Sequence, residues 1–159
     1  CDTDCGIKWC NDVVLHGKKL CGILTESSLL PDGSAAWLVV GIGVNVGQAS
    51  FPPDIADMAT SLALQELDVS PDALADAILA QLTAMRTVLT DPAEWLAEYR
   101  RRCVNLGRPV RVLRGNTVRQ ATALAIDEQF GLTVQYENGE TETVRSGEVS
   151  VRGLYGYIE

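Results

Sequence analysis

Residues 6–24 read GIKWCNDVVLHGKKLCGIL, and the pair His16-Gly17 in their middle limits this chain more than any other feature. Two residues suited to a tight turn, set between two largely apolar runs, predict a β-hairpin and its register. Counting outward, Leu15 pairs with Lys18, Val14 with Lys19, Val13 with Leu20 and Asp12 with Cys21. Side chains alternate across a sheet. One face then carries Val13, Leu15 and Leu20, with Lys18 at the tip, and the other carries Asp12, Val14, Lys19 and Cys21. Asp12 and Lys19 become diagonal neighbours, roughly 7–8 Å apart at the backbone. On a wet face that is a surface ion pair worth about 0–1 kcal/mol. On a covered face it is a pair of charges that flanks a ligand.

The next strand favours the second reading. After the turn Leu29-Leu30-Pro31-Asp32-Gly33-Ser34, the run Trp37–Val46 places Leu38, Val40, Ile42, Val44 and Val46 on one apolar face. The opposite face carries Gly41, Gly43 and Asn45. Glycines weaken a strand interior and pack against nothing, but they leave bare backbone that a flat group can approach. Asn45 beside that strip offers both a donor and an acceptor. A bulge or close packing against a neighbour is the competing explanation. The run GIGVN is not a dinucleotide fingerprint: its third glycine would fall on Val46, and Pro52-Pro53 follow where a helix should open.

Residues 51–102 read as helical. A short helix is predicted from about Ala59 to Leu67. Ser70 followed by Pro71 signals the start of a longer helix, whose Leu74, Ile78, Leu82, Met85 and Leu89 read as core packing. Asp91-Pro92-Ala93-Glu94 repeats the start signal as a capping box. From Cys103 onward, glycines punctuate short β-like runs, which suggest a small barrel. Glu137-Asn138-Gly139-Glu140 reads as its tightest, two-residue hairpin turn. The chain is accordingly divided into residues 1–102 and 103–159. A formal charge of −8 argues against a general nucleic-acid binder. The basic residues Arg100, Arg101, Arg102, Arg108, Arg111 and Arg114 read as a solvated surface, or as a face for an acidic partner. Five cysteines, an odd number without a CxxC pair, suggest free thiols in a reducing, cytoplasmic setting and no metal site. No stretch approaches a membrane span.

Three ordered runs, Lys8-Trp9-Cys10-Asn11-Asp12, Gly17-Lys18-Lys19-Leu20-Cys21-Gly22-Ile23-Leu24 and Gly41-Ile42-Gly43-Val44-Asn45-Val46, resemble the motifs KWPND, K-(L/V)-x-G-I-L and GxG-(I/V)-N of the biotin protein ligases. Ser146–Gly153 is similar to the end of that family's C-terminal domain. The resemblance implies an α+β fold. A mixed or antiparallel sheet packed with helices, a partial class II aminoacyl-tRNA synthetase/biotin ligase-like domain, precedes a small SH3-like β-barrel. It implies a ligase that activates biotin with ATP and Mg²⁺ to biotinyl-5′-AMP. The biotinyl group then passes to one lysine of a biotin carboxyl carrier domain of a carboxylase. Lys19 and Asp12 match the catalytic positions, and Lys8, Asn11, Lys19, Gly22, Gly41, Gly43 and Asn45 the binding positions for biotin and ATP.

Two departures bear on the expectation. Cys10 stands where the motif has proline, which should loosen a strand start. The family's arginine-rich loop, upstream of the first motif, has no counterpart before Gly6, so the chain is expected to be a fragment with little activity alone. A DNA-binding domain, optional in the family, would also lie upstream, and DNA enters only with it. A homodimer is compatible with the resemblance. The alternatives are a lipoate or octanoyl ligase or transferase on the same scaffold, and a non-catalytic module that binds the carrier.

Overall fold

A computed structural model of the chain describes residues 4–85, 92–145 and 150–153. Strands β1 (Gly6–Lys8), β2 (Asp12–Leu15), β3 (Lys18–Leu29) and β4 (Ala35–Val44) form an antiparallel sheet in sequence order. Two helices follow, α1 (Pro71–Met85) and α2 (Pro92–Arg102). Strands β5 (Pro109–Arg114), β6 (Thr117–Ile126), β7 (Leu132–Tyr136), β8 (Thr141–Val144) and β9 (Ser150–Gly153) form a second antiparallel sheet in the order β8-β7-β6-β5-β9. The class is α+β with two antiparallel sheets. Among the described residues β8 and β9 are edges, so the second sheet is not closed into a barrel.

The hairpin forms at the expected turn, with His16 at φ 48° and Gly17 at φ 77°. Its register departs from simple counting. A bulge between Val13 and Val14 pairs Val13 with Cys21 and Asp12 with Gly22, leaving Leu20 as the extra residue. Leu20 packs with Leu15 and Leu62 in a small core. Burying Leu20 there sets the register.

Further expectations are corrected or refined. The stretch from Ala59 to Leu67 is not a helix but a single 3₁₀ turn, Ala63–Gln65. The backbone of residues 58–60 is committed elsewhere: Lys19 donates its N–H to the Met58 carbonyl at 2.8 Å, and Thr60 donates its N–H to the Lys19 carbonyl at 2.8 Å. Helix α1 begins where Ser70-Pro71 places it, with Ser70 Oγ accepting from the Ala73 N–H at 3.5 Å. None of its residues is fully buried, but Leu74 packs, half-buried, against the core of Leu15, Leu20 and Leu62, while Leu82 is exposed and Leu89 lies outside the described residues. The Glu137–Glu140 hairpin uses three loop residues rather than two, with Gly139 at φ 84° and Tyr136 N–H donating to the Glu140 carbonyl. Cys10 lies in the turn between β1 and β2, not at a strand start. Asp91, the expected cap of α2, and residues 146–149 of the terminal motif lie outside the described residues.

One core joins the two sheets. Trp9 is buried among Leu96, Cys103, Val110, Val112, Leu132 and Val134. Its indole N–H donates to the Phe130 carbonyl at 2.8 Å, and its backbone N–H to Asn105 Oδ1 at 2.6 Å. Tyr99 Oη donates to the Cys10 carbonyl at 3.0 Å. The turn carrying residues 9–11 is thereby pinned from three directions onto the second sheet and α2. Asn105→Ala is expected to strand the buried Trp9 N–H and to cost about 1–3 kcal/mol in urea unfolding. A loss below about 0.5 kcal/mol, the level of an ordinary surface change, would show that the pin is dispensable.

Candidate active site

The site grows from the register of the first sheet. Lys8 pairs with Asp12, Asp12 with Gly22, and Gly22 with Gly43, so the four form one row across β1 to β4. Two residues further along, Leu24 pairs with Gly41 on the same face. Asp12 is buried, and its carboxylate lies between two ammonium groups: Lys19 Nζ is 2.6 Å from Oδ1 and Lys8 Nζ 3.5 Å from Oδ2. Lys8 is also buried, whereas the Lys19 side chain stays 38% exposed. Lys19 thus presents a held but solvent-accessible positive charge.

Gly22 makes room for that charge. A Cβ there would come within 3.0 Å of Lys19 Nζ and 3.4 Å of Asp12 Oδ1. At Gly43 and Gly41 an added Cβ would meet only backbone, the Gly22 carbonyl at 3.8 Å and the Leu24 carbonyl at 3.7 Å. The three glycines are a bare floor, open above, with the Lys19 head at one end. The bulge matters to this layout. It places Gly22 rather than Cys21 opposite Asp12, and the buried Cys21 thiol stays protonated because burial pushes it up.

The remaining candidates frame the floor. Asn11 is pinned to β3, its Nδ2 donating to the Ile23 carbonyl at 2.5 Å while its own carbonyl accepts from the Ile23 N–H at 2.9 Å. Cys10 Sγ is 3.5 Å from Asn11 Oδ1. Asn45 continues the alternation of Gly41 and Gly43. Its N–H donates to the Leu20 carbonyl at 2.9 Å and its Nδ2 to the Thr60 carbonyl at 3.0 Å. Thr60 is bonded to Lys19 through its own N–H, so one residue ties the asparagine end of the floor to the lysine end.

The arginines near the junction are largely engaged within the chain. Arg100 donates twice to the Ile126 carbonyl, Arg101 and Arg102 hold Glu98, and Arg114 holds Glu142. The two guanidinium groups keep Glu98 at about 2, far below the usual carboxylate range. These contacts favour the reading of a locally neutralised surface.

Sequence reasoning found the charged pair and the glycine strip. It missed the supports: Trp9, Asn105, Tyr99 and the segment 58–60. Asn105 is 96 residues from Trp9, and no local pattern links positions so far apart.

Comparison with known proteins matches residues 2–45 to the Biotin/lipoate A/B protein ligase family and residues 106–152 to the Biotin protein ligase C terminal domain. A Biotin--[acetyl-CoA-carboxylase] ligase of Mycobacterium tuberculosis is 36% identical over 92% of this chain and 53% of its own length. The Bifunctional ligase/repressor BirA of Escherichia coli is 30% identical over 92% of this chain and 46% of its own length. The chain therefore spans about half the length of these two curated relatives. Among solved structures, an apo biotin protein ligase from Aquifex aeolicus superposes with a TM-score of 0.79 at 27% identity, covering 94% of this chain and 65% of the other. The Aquifex protein in complex with biotin and ATP gives a TM-score of 0.71 at 27% identity, covering 94% and 62%.

Proposed function

This chain belongs to the biotin protein ligase family, and from that premise we propose that it is the carboxyl-terminal part of an enzyme that activates biotin with ATP and passes it to a carrier lysine. In the first step a biotin carboxylate oxygen bonds to the α-phosphorus of ATP, and pyrophosphate leaves. In the second, the amine of a lysine on a biotin carboxyl carrier domain attacks the acyl carbon, AMP leaves and the amine loses a proton. Residues 1–102 carry the chemistry and residues 103–159 brace it. A cytoplasmic setting, where ATP is supplied, accords with this reading.

The observation that carries this reading is the Lys19 ammonium, held 2.6 Å from Asp12 at the end of a glycine floor. Two anions must meet in the first step. A fixed cation beside them stabilises the charge that builds as the phosphorane-like transition state forms. Asp12 acts by orienting Lys19. Gly22, Gly41 and Gly43 let a flat ligand lie on backbone, Asn11 and Asn45 offer amide groups at its edges, and Lys8 holds the second carboxylate oxygen of Asp12. Mg²⁺ accompanies ATP in such reactions. Asp12 does not suit it as a ligand, because a divalent cation there would sit against two ammonium groups. The cluster on this chain supplies no metal ligand.

A lipoate ligase is the competing activity, because the match over residues 2–45 is to a family that includes both chemistries. The separate match of residues 106–152 to the C-terminal domain of biotin protein ligases favours biotin. The deciding assay gives the complete ligase labelled ATP with biotin or lipoate. Biotinyl adenylate is the expected product. Lipoyl adenylate without biotinyl adenylate would refute the assignment, and carrier capture without any adenylate would leave only a binding module.

The floor has its own test. Gly43→Ala is expected to leave stability within about 0.5 kcal/mol while weakening biotin binding roughly 10-fold, the effect of a methyl group forced into a fitted contact. Unchanged affinity by calorimetry would move the ligand off this face.

A further inference from the structure

Asn45 ends the glycine floor, and one side of its amide is already committed. Its Nδ2 donates to the Thr60 carbonyl at 3.0 Å, while its Oδ1 accepts from no described residue. The amide therefore keeps one acceptor and one N–H for a ligand. It can read a ligand only if it does not turn over, because a half-turn exchanges donor for acceptor. The Thr60 carbonyl is what prevents that turn.

Thr60 is itself held from two sides. It is 1% exposed, and its N–H donates to the Lys19 carbonyl at 2.8 Å. Its Oγ1 accepts from Gln65 Nε2 at 2.9 Å. A β-branched side chain is stiff at χ1, so fixing its hydroxyl and its N–H fixes the direction of its carbonyl. Gln65 is anchored in turn. It closes the 3₁₀ turn Ala63–Gln65, and its Oε1 lies 2.5 Å from His16 Nδ1. An amide oxygen only accepts, so His16 donates there and Gln65 turns its NH₂ toward Thr60.

His16, Gln65, Thr60 and Asn45 thus form one chain of bonds from the hairpin tip to the floor. Packing alone does not call for it. A valine at position 60 would have the same shape and no hydroxyl to satisfy. What the polar chain adds is direction, as in sites whose binding groups are locked by supporting hydrogen bonds. We infer that Gln65 is a positioning residue: acting through Thr60, it holds the Asn45 amide in one orientation and leaves Oδ1 as the acceptor offered to a ligand. Its effect on substrate binding rests on the ligand placement proposed above; its hold on Asn45 does not.

Side-chain NMR of this chain without ligand reads that hold. Gln65→Leu is expected to speed solvent exchange of the Asn45 Nδ2 hydrogens about 5-fold, the effect of withdrawing one neutral hydrogen bond. Gln65→Glu should leave exchange unchanged, because a carboxylate accepts from both His16 and the Thr60 hydroxyl. Thr60→Val keeps the backbone N–H and carbonyl. It should match Gln65→Leu, and the two together should exceed neither alone. In the complete ligase, Asn45→Ala identifies the substrate that the amide reads, by raising the KM for biotin or for ATP. Gln65→Leu is expected to raise that same KM about 5-fold with kcat unchanged, and to add nothing in the Asn45→Ala background. Parental exchange in Gln65→Leu and Thr60→Val would overturn the proposal, and Thr60→Val decides alone if Gln65→Leu does not fold. A KM effect of Gln65→Leu that persists without the Asn45 side chain would overturn it too. Faster exchange, with both KM values unaltered by Asn45→Ala, would establish the hold and remove the ligand from this end of the floor.

Discussion

Asp12→Ala is expected to lower the stability of this chain by about 3 kcal/mol, the cost of removing one partner from a buried ion cluster. The carboxylate is buried between Lys19 Nζ and Lys8 Nζ. Taking it away leaves two positive charges near one another, one of them, Lys8, largely shielded from water. The estimate sits at the lower end of the range for buried pairs because Lys19 can turn into solvent, where an ammonium is well hydrated. At a chain of this size, such a loss corresponds to a fall of roughly 6–12 °C in melting temperature. Asp12→Asn should recover part of it, since the amide keeps an acceptor and the shape but not the charge. Urea unfolding of the three proteins measures the series. A change below about 1 kcal/mol for Asp12→Ala would mean that the cluster behaves as a surface pair.

That prediction depends on a register that simple counting misplaces by one residue. Pairing outward from His16-Gly17 is right for Leu15 with Lys18 and Val14 with Lys19, and fails at Leu20. Alternation carries no sign of an inserted residue. The insertion follows from where Leu20 finds apolar partners, which are Leu15 and Leu62. The Asp12–Lys19 contact is nonetheless legible, because Lys19 lies before the bulge on the expected face and its stem spans the diagonal. The Pro31–Ser34 turn is equally legible: Asp32 Oδ1 accepts from Ser34 N–H at 2.9 Å and Ser34 Oγ at 2.6 Å, a side-chain turn written in the sequence itself.

What stays hidden is non-local. The stretch from about Ala59 to Leu67 reads as helical, but the backbone at Met58 and Thr60 is bonded to Lys19. The apolar periodicity of α1 is real, yet periodicity identifies a face without saying whether anything covers it. The arginines leave a solvated surface and a partner face both open in the sequence, and Glu98, at three and four residues' distance from Arg101 and Arg102, favours the first. That spacing could have been read in advance, because such pairs meet on one side of a helix.

Lys19→Ala separates the site's chemistry from its folding. The side chain is partly exposed, and Asp12 keeps Lys8 beside it, so the substitution is expected to cost about 1 kcal/mol or less in unfolding. In the complete ligase, adenylate formation is expected to fall by about 100- to 1,000-fold, the range seen when one oriented group that stabilises developing charge is removed. The fall should appear equally in kcat and kcat/KM, because the ammonium is matched to charge that exists only as the two anions combine. Gly22→Ala gives an independent check on position. Its methyl group would displace the Lys19 head, the flexible end of a long side chain, so the fold should tolerate it while adenylate formation drops. Pyrophosphate exchange measures both variants. If Lys19→Ala turns over at the parent rate, the Lys19 charge is not part of the reaction, and the open floor beside it loses its reason to be a site.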